Sequence, residues 1–267
     1  MKYIKAFENK EPEKNIEYYN NGKIRSNIYK LNGEYHREGG PAYIQWYNNG
    51  HKNSEIYFIN GIKHREDGPA YTRWYDNGKK QTEQYYIDGI LHREDGPAHE
   101  VWNENGRKES EIYYIKGKWH REDGPAYHVW HKNGVKKEES YYINNYYNRE
   151  NGPAYIEWYE NGQKYQEMYL INHNYDREDG PAIIIWYENG SPKREVYYNK
   201  DKIHREDGPA VKEWYKNGQL KHEEYYIKNF YYSRKYWIEQ LKKINSPHYK
   251  EQQDLYDMEK DMEKYNL

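Results

Sequence analysis

One heptapeptide, His-Arg-Glu-Asp-Gly-Pro-Ala, stands intact at His64–Ala70, His92–Ala98, His120–Ala126 and His204–Ala210. Altered copies occupy His36–Ala42, Asn148–Ala154 and Asp176–Ala182, and each copy begins 28 residues after the one before. A constant period through seven copies restricts the chain to a repeat architecture, because every unit must meet the next in the same way.

Within a period the pattern is that of strands and turns. After Ala70 come Tyr71-Thr72-Arg73-Trp74-Tyr75-Asp76, then Asn77-Gly78, then a second run ending Glu83-Gln84-Tyr85-Tyr86-Ile87, then Asp88-Gly89. Tyr, Trp and Ile suit strands, and Asn-Gly and Asp-Gly suit the two-residue type I′ turn, whose central residues both need positive φ. The first turn is Asn-Gly in all seven copies; the second drifts through Lys116-Gly117, Asn144-Asn145, Asn172-His173 and Lys200-Asp201. A two-residue turn at Asn77-Gly78 places Trp74 near Gln81 and Ala70 opposite Tyr85. Alternation then sets Ala70, Thr72, Trp74, Glu83, Tyr85 and Ile87 on one face, and Tyr71, Arg73, Tyr75, Gln84 and Tyr86 on the other.

The first face is the stricter one. Trp recurs at Trp46, Trp74, Trp102, Trp130, Trp158, Trp186 and Trp214, and Tyr and Glu hold equally fixed phases through Tyr85 and Glu83. Stacked units would set each aromatic against its equivalent in the next, which answers an otherwise awkward composition. Mean hydropathy is −1.49 and 32% of residues are charged, as in disordered chains, but 36 Tyr and 9 Trp at fixed phase can bury large areas behind polar tips.

Basic and acidic residues, 42 and 44, are interspersed to a net charge of −2. With no basic stripe, a nucleic-acid partner is not expected. Cysteine is absent, which removes disulfides, thiolate nucleophiles and Cys-ligated metals. Met1–Glu8 lacks the apolar core of a signal peptide and no run is long enough to span a membrane, so the expectation is a soluble, intracellular, cytoplasmic protein.

The ends depart from the period. Residues 1–34 read as a degenerate N-terminal capping repeat, with Tyr18-Tyr19-Asn20-Asn21-Gly22 in phase with Trp46-Tyr47-Asn48-Asn49-Gly50. Residues 35–231 form the array of seven repeats. Residues 232–267 turn helical: Trp237, Leu241 and Ile244 share a stripe behind Ser233, and Ser246-Pro247 opens a second helix with Leu255, Met258, Met262 and Tyr265 on one side. These helices either cover the last strand's edge or bind a partner.

The unit Tyr57–Ala70, with Trp74-Tyr75 and Asn77-Gly78 after it, resembles the MORN repeat (membrane occupation and recognition nexus). The resemblance covers roughly residues 16–231 and is closest to the MORN-variant arrays of large DNA viruses and of bacterial antitoxin-like proteins. Arg-Glu-Asp is inserted here between the His and the Gly of the family's rhythm, and Pro-Ala replaces its small-residue pair. The resemblance implies an all-β repeat protein, an elongated single antiparallel sheet of stacked β-hairpins with a short C-terminal α-helical tail. It also implies a scaffold or interaction module, at the host cytoplasm or virion if the source is viral.

The residues support a non-enzyme, with no catalytic residue, cofactor or metal expected. Equivalent histidines such as His36, His64, His92, His120 and His204 should lie ~9–10 Å apart along the stack, too far to share a zinc, so each is read as making local hydrogen bonds. Arg65 with Gly68 and Pro69 is read as structural: the arginine meets carboxylates of its own or a neighbouring loop and the Glu83 column, and Gly-Pro turns the chain into the next strand. The candidate partner-binding face is Tyr43, Tyr47, Tyr71, Tyr75, Tyr127, Tyr155, Tyr159, Tyr187 and Tyr215, since tyrosine is enriched at interfaces; the alternative is that these rings cover the sheet itself. The expected function is a non-enzymatic scaffold for protein–protein interaction through that face, the terminal helices or both. A membrane-surface or lipid-headgroup module and an antitoxin-like inhibitor are the alternatives. The partner is an unknown protein, a membrane is less favoured, and a homo-oligomer stays open.

Overall fold

The computed structural model describes residues 11–265, Tyr265 by its backbone alone. Met1–Lys10, which hold the start of the opening repeat and the segment read for a signal peptide, lie outside the described residues. The chain divides between Gly134 and Val135 into two compact units, and both are built from the same hairpin.

In the first unit, Glu13–Tyr18 pairs with Ile24–Leu31, which pairs in turn with Tyr43–Trp46. Lys52–Ile56, Tyr71–Trp74, Lys80–Gln84, His99–Trp102, Lys108–Ile112 and Tyr127–Trp130 follow, each antiparallel to the one before. In the second unit Lys136–Ser140 pairs with Tyr155–Trp158, and the ladder continues through Lys164–Met168, Ile183–Trp186, Pro192–Val196, Val211–Trp214 and Leu220–Ile227 to Phe230–Tyr232. The fold is therefore an antiparallel sheet of hairpins joined in sequence order, as the period predicts.

The two turns of a repeat differ. At the second turn both central residues take positive φ in every copy, from Asn60 at 49° and Gly61 at 76° to Lys228 at 50° and Asn229 at 72°, which is the expected type I′ geometry. At the first turn only the glycine does, Gly78 at 81°. Gly78 N–H donates to Tyr75 O (3.0 Å) and Tyr75 N–H to Lys79 O (2.9 Å). This is a three-residue loop ending in a left-handed glycine, not the two-residue turn predicted. The asparagine side chain supplies the reason: Asn77 Oδ1 accepts from Lys79 N–H (3.0 Å), an Asx turn that holds the loop without a second positive φ. A shift at Arg73/Trp74 follows, and Trp74 faces Lys80 rather than Gln81, while Thr72↔Glu83 and Tyr71↔Gln84 keep the predicted register.

Burial follows the stricter face. Ala42, Ala70, Ala98, Ala126, Ala154, Ala182 and Ala210 are wholly buried, and Thr72 and Glu83 nearly so. The heptapeptide ends in alanine because no larger side chain has room there.

The C-terminal helices are α1 (Arg234–Lys243) and α2 (Tyr249–Tyr265). Ser233 stands at the N-cap of α1 but its side chain makes no capping bond; Ser246 Oγ, by contrast, accepts from His248 N–H (3.3 Å). At the end of α1, Asn245 takes φ 54° and Ser246 N–H reaches back to Leu241 O (2.9 Å), a Schellman closure. Trp237, Ile238 and Leu241 of α1 form one core with Tyr225 and Ile227 of the last long strand, flanked by Tyr232, Tyr249 and Tyr256. Ile244, expected on the buried stripe, is 45% exposed because the chain reverses there.

Candidate interaction surfaces

The heptapeptide loop is a small machine for holding one tyrosine. The Arg65 guanidinium lies 4.1 Å from the centre of the Tyr57 ring, and the same stack recurs as Arg37 on Tyr29, Arg93 on Tyr85, Arg121 on Tyr113, Arg149 on Tyr141, Arg177 on Tyr169 and Arg205 on Tyr197, at 3.8–4.1 Å. Half-buried cation–π pairs of this kind are worth about 1–2 kcal/mol each. Behind the guanidinium sits the glycine: a Cβ on Gly68 would meet Arg65 Cζ at 2.9 Å, and on Gly96 it would meet Arg93 Cζ at 3.0 Å. Nη1 of Arg65 donates to Pro69 O (3.3 Å) and Nε to Asp67 Oδ1 (2.7 Å). That bond holds the Asp67 carboxyl below its ordinary range. Arg, Asp, Gly and Pro thus act on one another within a single loop.

The Glu83 column is different. In five of its seven copies the partner is the lysine three residues earlier, not the loop arginine: Lys80 Nζ lies 2.5 Å from Glu83 Oε1, Lys52 2.7 Å from Glu55 and Lys108 2.7 Å from Glu111, with Lys136–Glu139 and Lys164–Glu167 repeating the pair. The strand shift beside the tryptophan turns that lysine back toward the glutamate. The same ammonium sits over the tryptophan of the following repeat, Lys52 over Trp74 at 5.4 Å and Lys80 over Trp102 at 5.9 Å. Lysine therefore lies on the path from one tryptophan to the next, where simple like-on-like stacking was expected. Glu111 has a further partner, since His128 Nδ1 stands 3.1 Å from it. That hydrogen bond, with Lys108 on the other side, outweighs burial and holds the carboxyl at about 2.

The histidines bind the next repeat's second turn. Nδ1 of His64 accepts from Asp88 N–H (3.2 Å), and His92 does the same for Lys116 N–H (3.2 Å). Asn148 and Asp176 replace them with a side-chain oxygen that accepts from Asn172 N–H (3.0 Å) and Lys200 N–H (3.1 Å). Any acceptor of the right reach serves, which accounts for the interrupted histidine column.

The tyrosine face is largely committed to the fold. Tyr47, Tyr75, Tyr159 and Tyr187 each donate their hydroxyl to the carbonyl of the next repeat's tryptophan, at 2.9–3.0 Å. Tyr43 meets Tyr35 edge-on, Tyr127 stacks on Trp119 at 5.4 Å, and Tyr71 lies under Lys63. Tyr155 meets Tyr147 edge-on and donates to Glu157 (2.9 Å), and burial pushes its hydroxyl well above the ordinary tyrosine range. Tyr215 alone of the nine candidates is exposed, at 52%. These contacts come from residues 24–27 positions apart or from the short ladders beside the second turn, and the sequence signals them only as phase.

Two kinds of concavity remain. Successive loops frame open clefts, one of about 810 Å³ between the Arg65–Pro69 and His92–Asp95 loops, another of about 470 Å³ between the next pair. Against α2, Pro247, Glu251, Leu255 and Met258 line a cleft of about 570 Å³. Leu255, Met258 and Met262, predicted to share a stripe, are 38%, 53% and 41% exposed. The stripe's fourth member, Tyr265, has a side chain outside what the structure describes.

Three stretches match the MORN repeat variant model: residues 70–88, 183–200 and 210–228. Each runs from the buried alanine, or the residue after it, through the hairpin to the second turn. The Arg-Glu-Asp loop falls outside all three, so the MORN-variant likeness lies in the hairpin, which supplies the clamped tyrosines Tyr85 and Tyr197, while the clamping arginines belong to the connection between hairpins. MORN repeats are in general interaction or membrane-binding modules. No curated protein matches the chain. Among the described residues, no helix is long and apolar enough to cross a membrane.

Proposed function

We propose that this chain is a non-enzymatic scaffold for protein–protein interaction, in which MORN-variant hairpins form the body and the C-terminal helices carry the principal binding surface. One observation carries the reading: the polar chemistry of each repeat closes on the repeat itself or on its neighbour, while nine of the fifteen large apolar side chains exposed among the described residues fall from Tyr215 onward. Tyr215, Phe230 and Tyr231 are more than half exposed, and Met258 and Met262 stand out from α2. Exposed apolar groups of this size favour a protein surface. The tyrosine face ranks second, because five of its nine hydroxyls already donate inside the fold.

Cross-linking of the tagged full chain through its lysines in a native cell extract tests the proposal. The expected product joins one recurrent protein to Lys216, Lys243 or Lys250, which flank the exposed groups. Recovery of the chain with membranes alone, or cross-links confined to the chain itself, would contradict it.

A further inference from the structure

We infer that the outward face of α2 is a docking groove for a basic amphipathic helix of the partner. The inference rests on the scaffold reading only in taking the partner to be a protein. α2 carries two stripes, roughly a quarter-turn apart around its axis. Along one, Tyr249 and Tyr256 join the core around Trp237 and Leu241, Gln252 Nε2 donates to Asp207 O (3.2 Å), and Glu259 is paired with Arg234. The other carries Leu255, Met258 and Met262 at three- and four-residue spacing, all exposed, which is the pattern a helix presents to a second helix. Methionine adapts its shape to a partner better than branched residues do.

Charge selects the occupant. The stripe is bordered by exposed Glu251, Asp254 and Asp261, against Lys250; Asp257, further round, accepts from Gln253. Elsewhere on the helix Lys260 is taken up by Glu263. A second copy of α2 would bring the same carboxylates against these, and an anionic lipid surface would be repelled; a helix with lysine or arginine beside its apolar stripe meets opposite charge on the rim and soft apolar surface at the centre.

The test titrates the full chain with a fluorescent synthetic helix of one leucine face and one lysine face, and with its leucine–glutamate counterpart. Saturable binding of the lysine helix alone is expected. Leu255→Ser/Met258→Ser should weaken it at least about tenfold by removing apolar contact, and Glu251→Lys/Asp254→Lys about tenfold with loss of salt dependence. All four side chains are exposed, so circular dichroism should be unchanged. Equal binding by both variants, or equal binding of the glutamate helix, would overturn the inference. So would a wild-type dimer that dissociates in Leu255→Ser/Met258→Ser, or binding to anionic vesicles lost in that variant. If the helix fails while partner cross-links persist at Lys216, the docking groove is wrong and the scaffold reading stands.

Discussion

An internal repeat and the end of the array solve the same problem with different residues. Inside, Tyr85 is covered by the Arg93 guanidinium, which rests on Gly96. At the end, Tyr225 has Ser233 where the arginine should stand, and Trp237 of α1 packs against it instead, ring centres 4.8 Å apart. Trp237 also donates from Nε1 to Arg205 O (3.2 Å). An arginine whose head reaches water suits a ring with another repeat beyond it. A tryptophan backed by Ile238 and Leu241 suits one that has none, because it adds a small apolar core where the ladder stops. The comparison teaches that the repeat is tied together mainly by polar and cation–π contacts, and the cap by burial.

That contrast can be broken most forcefully at the cap. Trp237→Ala removes a fully buried side chain and should cost about 3–5 kcal/mol, seen as early loss of helical circular dichroism in urea while the sheet signal persists. In the array, acid should act next. Glu111 is held at about 2 in the fold against 4.5 as its ordinary value. A depressed carboxyl stabilises above the unfolded value, so this contribution is complete above about pH 4.5 and lost as pH falls toward 2. It amounts to about 2–3 kcal/mol. Glu111→Gln should therefore lower the urea midpoint at pH 6 and converge on the wild type near pH 2; a constant gap across that window would refute the ion-pair account.

Smaller effects sharpen the picture of contacts between repeats. Tyr75→Phe deletes the bond to Trp102 O and should cost about 1 kcal/mol, measured as a shift in thermal midpoint. His92→Leu should cost about as much, since it leaves the Lys116 N–H without its acceptor, whereas His92→Asn should cost less than about half of that, Asn148 already serving this role two repeats on. Asp95→Asn, at an exposed pair, should leave the thermal midpoint almost unchanged.

Much of this was legible in the sequence. The 28-residue phase locates both strands of each hairpin, and the register of Thr72 and Glu83 follows from the turn position alone. The helical stripe at Leu255, Met258 and Met262 was equally plain. What was misread has a common cause: Asn77 can close its turn with its side chain, and a single strand shift beside Trp74 redirects Lys80 toward Glu83 and Trp102. Spacing shows that two side chains share a face, but not which of two cations a glutamate meets. The packing side of α2 was missed for a related reason. Tyr249, Gln252, Tyr256 and Glu259 are polar or amphipathic, so hydropathy did not mark the side that packs.

The central claim is that arginine and glycine of the heptapeptide act as one unit around each tyrosine. A double-mutant cycle at Arg93 and Gly96, followed by urea unfolding, tests it directly. Gly96 does not need a left-handed backbone, so Gly96→Ala can cost only by displacing the guanidinium, by about 1–2 kcal/mol. The account predicts that in an Arg93→Ala background the same change costs almost nothing. If the two losses simply add, the clamp is not a unit and the account is wrong.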